Sequence, residues 1–177
     1  MDLPRRKPTR LSGYDYSIPG AYFITICTHE RRCILSEIVV GDGVLDVPQV
    51  KLSDHGRIVE ETLREIAEHY TWLTIDNYVI MPNHIHLLLS ITEAGTSRTP
   101  SPTDKTDSLW KIPASNASLP MLISTFKRFT NRKCSSQLWQ RSYHDHIISG
   151  ENDYREIWNY IESNPARWSE DCFYQAL

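Results

Sequence analysis

Asn83-His84-Ile85-His86-Leu87-Leu88-Leu89-Ser90 sets two imidazoles one residue apart inside a run that otherwise favours burial. Strand side chains at i and i+2 leave the same face, so His84 and His86 project together while Ile85 and Leu87 point the other way into a core. The apolar segment Tyr78-Val79-Ile80-Met81 comes just before, separated by the turn signal Pro82-Asn83. These residues predict an antiparallel hairpin of Thr74 to Met81 and His84 to Ile91. Paired histidines on a rigid strand suit a metal site, and a half-exposed polar face would carry the same pattern.

The flanking sequence supplies the rest of the fold. Tyr22 to Thr28 alternates Phe23, Thr25 and Cys27 against Ile24 and Ile26 and predicts a strand. A loop or small hairpin follows through Gly41, Gly43 and Pro48. Ser53 is placed to cap a helix whose apolar stripe is Ile58, Val59, Leu63, Ile66 and Ala67, ending near His69 or Tyr70. Residues 93–118 are dominated by Gly, Ser, Thr, Pro and Asp and predict a flexible insertion. Helical spacing resumes from Pro120 to Lys133, with Leu122, Ile123, Phe126 and Phe129 on one side. Leu138 to Ile148 predicts a short strand, and Asp153 to Ser163 a last helix that Pro165 ends. The order predicts an α+β fold of the ferredoxin-like, split βαβ type, with an antiparallel sheet carrying its helices on one face.

A chain of 177 residues, 40% hydrophobic and 23% charged, suits a single domain across 1–177, with a basic arm at 1–12. Cys27, Cys33, Cys134 and Cys172 have no regular spacing and form no CxxC pair. Reduced thiols in a cytoplasmic protein are expected. A zinc corner of Cys27, His29 and Cys33 lacks a fourth ligand nearby and reads more simply as strand. No stretch is apolar enough for a membrane span.

The net charge of −3 gives no general attraction to nucleic acid, but the charge is unevenly distributed. Arg5, Arg6, Lys7 and Arg10 cluster at the start, Arg31 and Arg32 follow the first strand, and Lys127, Arg128, Arg132, Lys133 and Arg141 crowd a later region. Acidic residues gather at Asp54–Glu68 and Glu151–Glu162.

On the last helix Tyr160 and Asn164 are four residues apart and stand one above the other. An amide oxygen can join two imidazoles around a cation, and a phenol can act as a covalent nucleophile. Only covalent phosphoryl transfer would require that tyrosine.

Four segments together resemble a known family: RLSGYDYSIPGAYFITICT (10–28), MPNHIHLLL (81–89), LWQRSYHDHII (138–148) and YIESNP (160–165). They are similar to the HUH-type single-tyrosine transposases, and most to the REP-associated tyrosine transposase branch. The resemblance covers nearly the whole chain except residues 93–118. It implies that His84, His86 and Asn164 hold Mg2+ or Mn2+. It further implies that Tyr160 on the C-terminal helix attacks single-stranded DNA to leave a 5′-phosphotyrosine link and a free 3′-hydroxyl. Such an enzyme nicks and rejoins DNA beside repetitive hairpins without ATP. The acidic pI, about 6.1, and the insertion depart from the family pattern.

The resemblance places a second histidine pair, His144 and His146, near the nucleic acid, where contact with DNA phosphate is expected over metal. Lys127, Arg128, Arg132, Lys133 and Arg141 are expected to follow the DNA backbone, and Arg5, Arg6, Lys7 and Arg10 to form an arm entering a groove. Two rival readings stay open: a domesticated, non-catalytic DNA-binding protein, and a metal phosphodiesterase that uses water. Monomer and homodimer both fit the sequence.

Overall fold

The computed structural model describes residues 15–16, 18–40, 48–92 and 119–174. The basic arm with Arg5, Arg6, Lys7 and Arg10, the Gly41 and Gly43 turn and the insertion at 93–118 lie outside the described residues. The described residues form six strands and three helices in this order: β1 Gly20–Cys27, β2 Ser36–Val39, β3 Gln49–Leu52, α1 Asp54–His69, β4 Leu73–Ile80, β5 His84–Ile91, α2 Leu119–Lys133, β6 His144–Ile147 and α3 Glu151–Ser163. A 3-10 segment, Pro165–Glu170, follows α3. No helix among the described residues is long and apolar enough to cross a membrane.

The main sheet is ordered β4-β5-β1-β6, with every neighbouring pair antiparallel. The units β1-α1-β4 and β5-α2-β6 interlock through the central pair β5 and β1, as the split βαβ pattern requires. The expected small hairpin is present as β2 paired with β3. The Pro82-Asn83 turn joins β4 to β5, and Met81 N donates to His84 O at 2.9 Å across it.

α1 begins where Ser53 Oγ accepts from Gly56 N at 3.1 Å. Gly56 is required by close approach, because a Cβ there would lie 2.1 Å from the Leu35 carbonyl oxygen. α1 and α2 cover the face that presents Ile24, Ile26, Ile85, Leu87 and Leu89, and Val59, Leu63, Ile66, Leu122, Ile123 and Phe126 close the core. Each fully buried Leu or Ile contributes about 1.5–3 kcal/mol.

One expectation needs correcting: the helices do not all lie on one face. α3 packs on the opposite face, where Ile161 meets Val79, Met81 and Leu88, with Tyr154, Ile157 and Trp158 around them. Leu88 and Val79 point away from α1 and α2, so the second face also carries apolar surface that water would otherwise reach. The unbroken apolar run on β5 is the sign of a strand buried on both sides.

Candidate active site

Both histidines open β5 on the α3 face and are almost sealed from solvent, at 0% and 1% exposure. Their Nε2 atoms are 3.0 Å apart. Each ring is fixed through its other nitrogen. Asn83 donates from Nδ2 to the Phe173 carbonyl at 2.7 Å, which turns its Oδ1 towards His84 Nδ1 at 2.9 Å. His84 Nδ1 therefore carries the proton and Nε2 the lone pair. On the neighbouring strand, Thr25 Oγ1 lies 2.8 Å from His86 Nδ1.

Burial lowers the His84 pKa to about 4, with the Asp171 carboxylate opposing the shift and Arg31 adding to it. Burial, then the charge of His84, pushes His86 well below its usual value. Both rings are neutral at pH 7, the form that can ligate a cation.

α3 brings Tyr160 Oη to 3.4 Å from His86 Nε2, with the two ring centroids 5.2 Å apart. Burial and the nearby Asp171 and Cys172 push the phenol up to about 12, while a hydrogen bond from Asn164 pulls the other way. One turn on, Asn164 is only 3% exposed and donates from Nδ2 to Asp171 Oδ2 at 3.0 Å. Its Oδ1 is buried without a hydrogen-bond partner.

Asp171 was not identified from sequence. Its Oδ2 is 3.9 Å from His84 Nε2, and ligand atoms of His84, His86 and Asp171 all lie within 4.8 Å of one another. No local spacing links residue 171 to the strand that begins at His84; the turn after Pro165 brings it in.

The donor set fits a hard or borderline divalent cation: two imidazole nitrogens, a carboxylate oxygen and an orphaned amide oxygen. The two Nε2 atoms meet at a distance where two lone pairs would repel. A cation between them requires only that the His86 proton sit on Nδ1, where Thr25 Oγ1 accepts it. Cys27 opposes His84 in register, but burial raises its thiol to about 11 and keeps it protonated. A cleft of about 260 Å³ lined by Tyr160, Asn164, Arg167, Asp171 and Cys172 opens beside the cradle.

The second histidine pair is not brought into this cradle. Register puts His144 opposite Thr25 and His146 opposite Phe23, so they share the site's face at the sheet edge, while Asp145 lies opposite Ile24. His146 Nε2 instead meets the Asp153 carboxylate at 2.9 Å and ties β6 to the first turn of α3. Lys127 Nζ donates to the carbonyls of Gln140 and Ser142 at 2.9 and 2.8 Å, bracing the loop before β6. Lys133 pairs with Glu65 on α1 at 2.7 Å, and Arg128 lies 5.4 Å over the ring of Phe129. Arg132 and Arg141 line an open cleft with Asn131 and Gln137 and have no ion-pair partner among the described residues.

No family model matches the chain. A Haemophilus influenzae protein described as uncharacterized is 31% identical over 177 residues, spanning 97% of this chain and 94% of its own length. A second protein of that organism, named provisionally as a REP-associated tyrosine transposase, is 23% identical over 159 residues, covering 86% of this chain and 74% of its own. Among solved structures, a REP-associated tyrosine transposase bound to a REP hairpin shares the fold with a TM-score of 0.54 at 17% identity, over 94% of this chain and 74% of that one. Motif order and strand order agree with the two named relatives: the chain is similar to the REP-associated tyrosine transposases and shares their fold.

Proposed function

We propose that this protein is a divalent-metal-dependent nickase and strand transferase for single-stranded DNA, with Tyr160 as its nucleophile. The observation that carries the reading is the approach of Tyr160 Oη to 3.4 Å from His86, beside the His84, His86 and Asp171 cradle. Water-based hydrolysis has no use for a phenol in that position.

His84, His86, Asp171 and the Asn164 amide oxygen would hold Mg2+ or Mn2+. Bound there, the cation would supply Lewis-acid stabilisation of a phosphate oxygen and of phenolate charge. The chain's own residues do the rest. Tyr160 Oη loses its proton and bonds to phosphorus, the bond from phosphorus to the 3′-oxygen breaks, and that oxygen takes a proton to become a free 3′-hydroxyl. The 5′-phosphotyrosine link keeps the bond energy, so the released 3′-end can reverse the step or another can replace it. Asn164 orients Asp171 and supports the phenolate. Thr25 and Asn83 hold the two imidazoles in place.

The solved relative's hairpin supports hairpin DNA as the partner here, with Arg132 and Arg141 the basic groups best placed for backbone contact. The test is a 3′-labelled hairpin oligonucleotide with a single-stranded flank, incubated with Mn2+. Label that migrates with the protein on a denaturing gel, and is lost in Tyr160→Phe, is the expected result. An adduct that persists in Tyr160→Phe overturns the assignment of the nucleophile.

A further inference from the structure

The turn after β1 holds adjacent non-glycine residues, Glu30 and Arg31, at positive φ values of 58° and 54°. L side chains adopt this conformation at a cost, and such positions concentrate at functional sites. The turn is firmly held: Arg31 N donates to Thr28 O at 3.1 Å, and Thr28 Oγ1 to Arg32 O at 2.9 Å. Its effect is to send two neighbouring guanidinium groups to different places. Arg32 is tied to the carbonyls of His29 and Gln137 at 3.3 and 3.1 Å.

Arg31 lies 5.2 Å over the ring of Phe173, and that ring is 4.7 Å from His84. Its guanidinium has no hydrogen bond or ion pair among the described residues, although its charge acts on His84, Cys27 and Cys172. A planar fork of donors with no acceptor, beside a cradle for a cation, is an arrangement that binds phosphate.

We propose that Arg31 grips the non-bridging oxygens of the phosphodiester at this site and offsets the charge that builds on them as Tyr160 attacks. It would be a further catalytic residue. The inference rests on the strand-transfer reading, and the experiment separates the two.

The first measurement uses the Tyr160→Phe protein loaded with Mn2+ and titrated with inorganic phosphate, followed by phosphorus relaxation. Arg31→Gln is expected to weaken phosphate binding by about tenfold or more, and Arg31→Lys by less. The second restores Tyr160 and times adduct formation in a single turnover. Arg31→Gln is expected to slow it by roughly 10²–10³-fold on a normal phosphodiester. On a neutral methylphosphonate at the scissile position the loss should shrink below about tenfold, because little charge remains to offset. Unchanged phosphate affinity, or equal losses on both substrates, overturns the proposal. So does a fall in Mn2+ affinity that matches the loss of phosphate binding, because Arg31 would then act only by holding the cradle together. A parent protein that binds phosphate through Arg31 yet never forms an adduct leaves the anion site standing and sinks the strand-transfer reading.

Discussion

Tyr160 Oη on α3 and His86 Nε2 on β5 stand 3.4 Å apart, within one chain, across the sheet face that α1 and α2 leave uncovered. The distance is long for a hydrogen bond and short enough for both groups to address one phosphate. Tyr160→Phe should therefore abolish the covalent adduct while leaving Mn2+ affinity within about threefold. Stability should move by no more than about 0.5 kcal/mol, since Tyr160 is 37% exposed. Calorimetric titration and a denaturant melt check both. A large loss of metal affinity would make the phenol a ligand rather than a nucleophile.

Thr25→Val keeps the shape of the side chain and removes the one hydrogen-bond partner that His86 Nδ1 has among the described residues. Supporting contacts of this kind typically contribute 10–100-fold in metal affinity, and Mn2+ binding should weaken by about that much. Unchanged binding would mean that packing alone fixes the ring.

Asp171→Asn tests whether the carboxylate is a ligand or merely covers the histidines. As a ligand, its loss should weaken Mn2+ binding by more than about tenfold, because hard cations favour anionic oxygen. Electron paramagnetic resonance of the bound Mn2+ reads this directly. Equal or tighter binding in the variant would show that Asp171 only shields the site.

Acid should destabilise the metal-free protein in a defined window. His84 in the folded chain resists protonation until about pH 4, mainly because it is buried, whereas in the unfolded chain it takes up a proton near 6.5. The unfolded state then binds more protons between these values, so stability falls as pH drops from about 6.5 to about 4 and is unaffected by this group above that range. Urea midpoints across the window, compared with those of His84→Gln, should show a flatter dependence in the variant.

Gly56→Ala sets two effects against each other. Alanine gains up to about 1 kcal/mol in helix propensity. Its Cβ would meet the Leu35 carbonyl at 2.1 Å, and that carbonyl also accepts from Ser53 N at 2.9 Å. Overpacking of this kind costs about 1–3 kcal/mol, so a net loss of stability is expected in a thermal melt. A stabilised variant would mean that Leu35 and the β2–β3 pair beside it give way easily.

Much of the fold was legible because its signals are local. Alternation at Phe23 to Cys27 and His84 to Leu88 marked the central strands, and Ser53 capped α1 where the spacing placed it. The side of the sheet that α3 takes was not legible, because Ile157 and Ile161 record an apolar stripe without recording which surface it meets. The contacts of Lys127 and Lys133 were not legible for the same reason, because carbonyls of the 140–142 loop and Glu65 on α1 reach them only through tertiary packing.

The sequence by itself determined that His84 and His86 share a face, that Tyr160 and Asn164 share another, and that the segments carrying them follow the order of a known family. These statements need only the periods of strand and helix. Tertiary structure decided that the two faces meet, that Asp171 joins them, that Asn83 and Thr25 set the imidazoles, and that Arg31 reaches the rim while Arg32 does not. Those pairings span up to ninety residues of chain, and only sheet register and packing against both faces bring them together.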